Sequence, residues 1–490
     1  MKYINRLLVV CAVSLSASAA SSDSLYHETY RPQYHFSPRE GWIGDPCGFI
    51  HYQGKYQMYW WGKAESEDLV HYTQVVPAEG EQGHCMKGAS DNIGYFTGSM
   101  VIDEKNTAGF GEDAYVAVYT AFENDTKKQA QGISFSHDGK TFQYYGGNPV
   151  LDIWSTEFRD PTVFYHAPTQ KWVMVVAKAL EKKIAIYSSS DLKHWEWMSD
   201  FGPCGDQEKS WECPDLFQLP VDEDVNNKKW VMVISVNWAQ VQYFIGDFDG
   251  KTFQPMETAY PLYVDKGLDY YAVRTFRDYD HTLDTTTAMG WVATWDYAPH
   301  VPTTYGKGFW SVPRNLELKT YPEGIRMVQT PVKNLETLRY GEVAYTRTLP
   351  VGLKKLPRFT PEENTYELDV TFDVTKPNVF GFNLCVGDGR KAIISYDTES
   401  HNLVIDRTNC TDAQMPKFSR MAHAKVEPVD GKLRMHIYVD KSSIELFTND
   451  GKDVFTLLTY PSENQTGIET FALRPGTSMD FKGWMLRSIW

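Results

Sequence analysis

From about residue 30 to residue 335 the chain runs as short segments of alternating apolar and polar residues, separated by turns rich in Gly, Asp, Asn and Pro. Helical periodicity is almost absent, so the pattern predicts an all-β protein. One unit recurs. Asp45-Pro46-Cys47-Gly48-Phe49 leads through a turn to Lys55-Tyr56-Gln57-Met58-Tyr59. Asp160-Pro161-Thr162-Val163-Phe164 leads to Lys171-Trp172-Val173-Met174-Val175, and Pro214-Asp215-Leu216-Phe217 to Lys229-Trp230-Val231-Met232-Val233. Each reads as a hairpin with an acidic start, an aromatic anchor and a second strand opening on Lys-aromatic-x-Met. The landmarks Asp45, Asp160 and Glu212 are 115 and 52 residues apart; the wide gap holds two units, with Ser99 near its middle, and Asp269 follows Glu212 by 57 residues. Five such units predict a five-bladed β-propeller over 30–335.

Beyond about Glu342 the unit stops. Segments such as Tyr366-Glu367-Leu368-Asp369-Val370-Thr371-Phe372 alternate cleanly and are joined by turns such as Asp388-Gly389. They predict a C-terminal β-sandwich over 345–490, with the boundary near 335–345. In a propeller the first strand of each blade lines the axis, so Asp45, Asp160 and Glu212 are expected to converge in one funnel. An acidic residue at a strand end commonly just caps a turn. Three at matched positions, one preceded by Arg159, favour a site.

Composition narrows the function. Among 490 residues, 42 % are hydrophobic, 23 % charged and 14 % aromatic, which fits a globular protein with aromatic surfaces to spare for sugars. Lys2 and Arg6 flank the apolar stretch from Leu7, and Ala17-Ser18-Ala19 is a small-residue cleavage site; residues 1–19 read as a signal peptide, so export is expected. No later segment is apolar for long enough to span a membrane. The formal charge of −15 becomes −17 without Lys2 and Arg6, which sets nucleic acid aside and suits a neutral substrate, such as a carbohydrate, or a basic partner. Nothing in the sequence sets an oligomeric state. Export permits disulfides among Cys47, Cys85, Cys204, Cys213, Cys385 and Cys410, with Cys47–Cys85 the first pair to consider, although a chain of this length folds without staples. No cofactor or metal is called for; the spacing of Asp278, Asp280 and Asp284 reads as a solvated turn rather than a calcium loop.

With the motifs in order, the chain resembles glycoside hydrolase family 32, the invertases, inulinases and levanases. Trp42-Ile43-Gly44-Asp45-Pro46-Cys47-Gly48 stands where the family has Trp-Met-Asn-Asp-Pro-Asn-Gly. Phe96-Thr97-Gly98-Ser99, Phe158-Arg159-Asp160-Pro161 and Trp211-Glu212-Cys213-Pro214-Asp215 are similar to its later motifs, and Val439-Asp440-Lys441-Ser442-Ser443-Ile444-Glu445-Leu446-Phe447 to its sandwich. The resemblance implies retaining cleavage of β-fructofuranosidic bonds in sucrose-type or fructan substrates, with Asp45 as nucleophile and Glu212 as acid/base. It implies that Asp160 stabilises the transition state, ordered by Arg159. Trp211 and Cys213 are expected to give Glu212 an apolar setting that keeps it protonated. Trp42, Trp61, Phe96 and Trp295 are expected to line the funnel, Trp42 and Trp295 foremost. Ser99 is a further binding candidate, and Asp269 a contact to the outgoing sugar.

The departures cluster at the substrate end. Gly44 and Cys47 replace two Asn residues, and Tyr59-Trp60 runs straight into Trp61-Gly62-Lys63-Ala64 where the family has a Gln and a loop. The lost loop opens one side of the site, which favours a longer or branched substrate. Two other readings compete: an arabinan-cleaving furanosidase, against which the sandwich motif counts, and a catalytically defective glycan binder, against which the three carboxylates count.

Overall fold

A computed structural model of the protein describes residues 26–76 and 85–490. The expected leader, residues 1–19, lies outside them. The fold is almost wholly β: a propeller of radiating sheets followed by a β-sandwich. Among the described residues no helix is long and apolar enough to cross a membrane.

The repeat seen in the sequence is a repeat in register. Phe49 pairs with Met58, Val163 with Met174, Leu216 with Met232 and Arg274 with Met289, each across an antiparallel strand pair of its unit. The methionines are fully buried, so each unit places one flexible, apolar side chain between neighbouring sheets. The sheets of 41–331 are one of two strands, one of five, one of six, one of four (158–201) and one of nine; the nine-stranded sheet is bridged by the single pair Val221–Leu318. Two parallel contacts tie late segments back to the first blade: Arg277–Asp278 beside Gly48–Tyr52, and Gly306–Lys307 beside Gly41–Trp42. Only glycine fits at 306, where a Cβ would lie 2.0 Å from the Gly41 carbonyl oxygen.

A second repeated feature shapes the site. The innermost strands of four units each carry a β-bulge near the same end, between Tyr95 and Gly98, Arg159 and Thr162, Glu212 and Asp215, and Tyr271 and Arg274. Three bulges hold a residue in the left-handed region, Asp160 at φ 65°, Cys213 at 47° and Ala272 at 52°. Each such residue costs about 1–3 kcal/mol, and bulges re-aim side chains at the rim of a closed sheet.

Residues 339–486 form two six-stranded sheets packed face to face. Leu368, Val370 and Phe372 from one sheet meet Phe380, Phe382 and Leu384 from the other in a core that also takes in Tyr297, Val301 and Phe309 of the propeller. The two parts share a continuous seam. The Lys266 and Leu268 amides donate to Val454 and Thr456 carbonyls at 2.7 and 3.0 Å. Buried Arg314 pairs with Asp265 and Glu445, and buried His35 lies between Asp440 and Glu445 at 2.7 and 2.8 Å.

All six cysteines of the described residues are free, so Cys47–Cys85, the first pair to consider, is not bridged. The Cys47 thiol turns back toward the Asp45 carbonyl oxygen at 3.4 Å, and the Cys85 amide is tied to the Trp61 carbonyl. Asp278 accepts from His51 and from the Leu283 amide, and Asp280 from the Gln53 and Gly54 amides, so both organise turns.

Candidate active site

The bulged ends of the inner strands bring Asp45, Asp160 and Glu212 together. Asp45 precedes the strand Gly48–Tyr52 and is half-buried; its Oδ2 accepts from Thr97 Oγ1 at 2.9 Å and from the Cys213 thiol at 3.6 Å, while its buried Oδ1 has no partner. Asp160 is buried, and its Oδ2 accepts from the Cys213 amide at 3.1 Å and the Cys213 thiol at 3.5 Å. The left-handed turn at Asp160 also points its amide at Thr120 Oγ1, 2.9 Å away. Cys213 thus touches both aspartates, and burial beside them holds its thiol well above the ordinary value. It stays protonated and donates.

Glu212 is built differently. Its Oε1 receives Arg159 Nε at 3.1 Å and a terminal Arg159 nitrogen at 2.8 Å; its Oε2 receives the hydroxyl of buried Tyr271. Arg159 is held in turn by Glu157 at 2.7 Å and Gln129 at 3.2 Å. The apolar setting expected from Trp211 and Cys213 is not what Glu212 has. Trp211 packs between Phe201 and Phe244 inside its blade, and Cys213 faces the aspartates. Crowding falls instead on the aspartates. Burial above all, then Asp160 and Glu212, pushes Asp45 up to about 7 against the pull of Thr97 and Cys213. Burial and Glu212 raise Asp160 too, opposed by Arg159. Below them, buried Arg274 reaches across the axis to the Pro46 carbonyl, Thr162 and the Pro214 carbonyl.

The other sequence candidates divide. Trp42 and Trp295 stack at 5.8 Å and 19°, with Trp295 41 % exposed. Phe96 is exposed and stacks on Phe122 at 4.4 Å. Trp61 is buried beneath this pair, its indole N–H on the Phe96 carbonyl at 2.9 Å. Ser99 is buried between blades and accepts from the Val163 amide at 3.0 Å, so it packs strands rather than meeting ligand. Asp269 requires the firmest correction. It is wholly buried at the seam with the sandwich, paired with Arg407, and accepts from the Tyr297 hydroxyl and the Leu458 amide. No sugar contact is open to it.

Thr97, Cys213 and Tyr271 are the contacts that sequence reasoning passed over, each lying in or beside a bulge. At Gly44 a side chain would begin 2.9 Å from Trp42 Nε1. The indole N–H therefore occupies the space that the missing amide would use, and no described residue accepts from it.

The fold and this carboxyl cluster define a glycosidase, an enzyme that hydrolyses O-glycosyl bonds. The model of the glycosyl hydrolases family 32 N-terminal domain matches residues 35–331, and that of the family 32 C-terminal domain residues 334–483. The chain is 37 % identical over 504 residues to a levanase of Bacillus subtilis (strain 168), covering 96 % of this chain and 72 % of the relative. An exo-inulinase crystal structure from Aspergillus awamori superposes with TM-score 0.85 at 30 % identity, covering 95 % and all of the two chains. A fructofuranosidase variant from Schwanniomyces occidentalis, complexed with fructosylnystose, does so with TM-score 0.83 at 29 % identity, covering 95 % and 99 %. The chain belongs to glycoside hydrolase family 32.

Proposed function

We propose that this chain is a retaining β-fructofuranosidase acting on fructans such as levan or inulin, or on sucrose, with Asp45 as nucleophile and Glu212 as acid/base. The observation that carries the reading is the unequal partnering of the two carboxyls. The Asp45 carboxylate has Oδ2 steadied by Thr97 and Cys213 and its buried Oδ1 without a partner, which leaves its charge under-compensated, as a nucleophile's must be. Glu212 is aimed by Arg159 and Tyr271, as proton transfer at a fixed leaving oxygen requires. Asp45 attacks the anomeric carbon while the C–O bond breaks and Glu212 protonates the departing oxygen. Water then attacks the same carbon, Glu212 takes its proton, and Asp45 leaves. Positive charge develops on the fructosyl ring in between. The under-compensated carboxylates that raise each other's proton affinity are the environment that stabilises it, Asp160 among them.

In the same reading the nine-stranded sheet is two blades joined through Val221 and Leu318. That makes five blades across 30–335, with the sandwich over 345–490. The levanase and extracellular exo-inulinase relatives support export, and residues 1–19 are the proposed leader.

The test is sugar release from sucrose, inulin, levan and arabinan by wild type, Asp45→Ala and Glu212→Ala, with methanol added as acceptor. Fructose release lost in both variants, and a methyl fructoside of unchanged anomeric configuration, are expected. Release from arabinan alone, or an inverted product, overturns the assignment.

A further inference from the structure

The rim of the funnel carries a tryptophan that the mechanism leaves unused. Trp154 is 83 % exposed, and its backbone is left-handed at φ 58°. Such a conformation in a bulky residue persists only where the surroundings impose it. Here its amide donates to Asp152 Oδ1 at 2.7 Å, and Lys128 Nζ sits 4.5 Å from the indole ring. Lys128 is itself clamped by Glu123 at 2.8 Å and Asp152 at 3.1 Å. One face of the ring is thus propped on a fixed ammonium, while the rest of the ring stays open.

The platform is continuous with the catalytic carboxyls. Ser155 pairs with Gln129, whose side-chain oxygen accepts from Arg159, and Arg159 holds Glu212. Gln129 in turn pairs across its hairpin with Phe122, the stacking partner of exposed Phe96, and Phe96 adjoins the Thr97 that touches Asp45. A ledge therefore runs outward from the Glu212 side, where a protonated leaving group departs. Its surface alternates flat aromatic faces with fixed polar groups, as a neutral sugar chain with apolar ring faces and a hydroxyl rim requires.

On the proposed fructanase reading, we infer that Trp154 is a specificity-determining residue that binds the leaving-group chain of an oligomeric or polymeric fructan, beyond the reach of a disaccharide. The experiment compares kcat/KM on levan, inulin and sucrose for wild type, Trp154→Ala, Trp154→Phe and the outer-strand control Trp197→Ala. The expected result is a polymer-to-sucrose ratio that falls about 3- to 10-fold in Trp154→Ala, the size of one aromatic contact. The fall is carried by KM, is largely restored in Trp154→Phe, and is absent in Trp197→Ala. A ratio unchanged in Trp154→Ala, with wild type active on fructans, overturns the ledge and leaves the enzyme assignment standing. Wild type inert on every fructoside overturns both. A concentration-dependent dimer that Trp154→Ala dissolves, with the ratio unchanged, assigns the ring to self-association instead.

Discussion

Two acidic clusters in this molecule are made of the same residue types and differ in how many cations are paired with them. At the seam between propeller and sandwich, Asp265, Asp269, Asp440 and Glu445 are buried with Arg314, Arg407 and His35 among them. Despite burial, Arg314 and His35 hold Glu445 below its usual range, and Asp440 and Glu445 carry the His35 imidazole up to about 9, while burial raises Asp269 against the pull of Arg407. In the funnel, Asp45, Asp160 and Glu212 share one close arginine, which binds Glu212, and the two aspartates are pushed upward. Compensation, not acidity, separates the cluster that holds the fold together from the one proposed to do chemistry.

The largest expected difference comes from making one change in both places. Asp45→Asn should lower kcat by at least about 10⁴-fold, with a thermal midpoint unchanged or raised, because a repelled carboxylate has gone. Asp269→Asn should do the reverse. It strands Arg407 without its anion and destabilises the fold by about 3–5 kcal/mol, while kcat measured below the transition stays near wild type. A loss of kcat there at full stability would end the distinction.

A smaller effect separates the clusters by pH. Burial pulls His35 down, but its two carboxylates outweigh burial and place it near 9 against an ordinary 6.5. The folded state therefore binds that proton more tightly than the unfolded chain. The stabilisation, on the order of 3 kcal/mol, is complete below pH 6.5 and drains away as pH rises through 9. Unfolding midpoints from pH 6 to 9.5 should fall in wild type more steeply than in His35→Asn; parallel curves would refute the pair. Smallest is Thr97→Val. Losing one hydrogen bond to Asp45 should cost about 1 kcal/mol, a five- to tenfold drop in kcat/KM. The acid limb of the pH profile should move upward, because that bond lowers the Asp45 pKa; a limb that stays put would remove Thr97 from the site.

Much of this was legible in residue order. The Lys-aromatic-x-Met strands announced the repeat, and the register pairs each of those methionines with an inner-strand residue of the same unit. The three carboxylates stood at matched positions, and they meet. What misled was the landmark rule itself, which took Asp269 as the next member of the series. It precedes Tyr270-Tyr271 much as Asp45 precedes its own strand, but the strand that follows sends Tyr271 to Glu212 and Asp269 to Arg407. Thr97 and Cys213 stayed hidden for a related reason. One extra residue in a strand reverses which side chains face the axis, and alternation read from sequence carries no mark of where that residue falls.

The two parallel stitches that fasten Arg277–Asp278 and Gly306–Lys307 to the first blade have a consequence in time. Asp45 enters the world near the front of the nascent chain, yet the segments that close the ring around it are made long afterward. Until Gly306 has emerged, Asp45, the proposed nucleophile, has no funnel to stand in, so a growing chain carries its candidate site as an unassembled kit. Catalytic competence is then an all-or-none event late in biosynthesis. A chain cut short before Gly306 is expected to be a product without activity, not a slower enzyme.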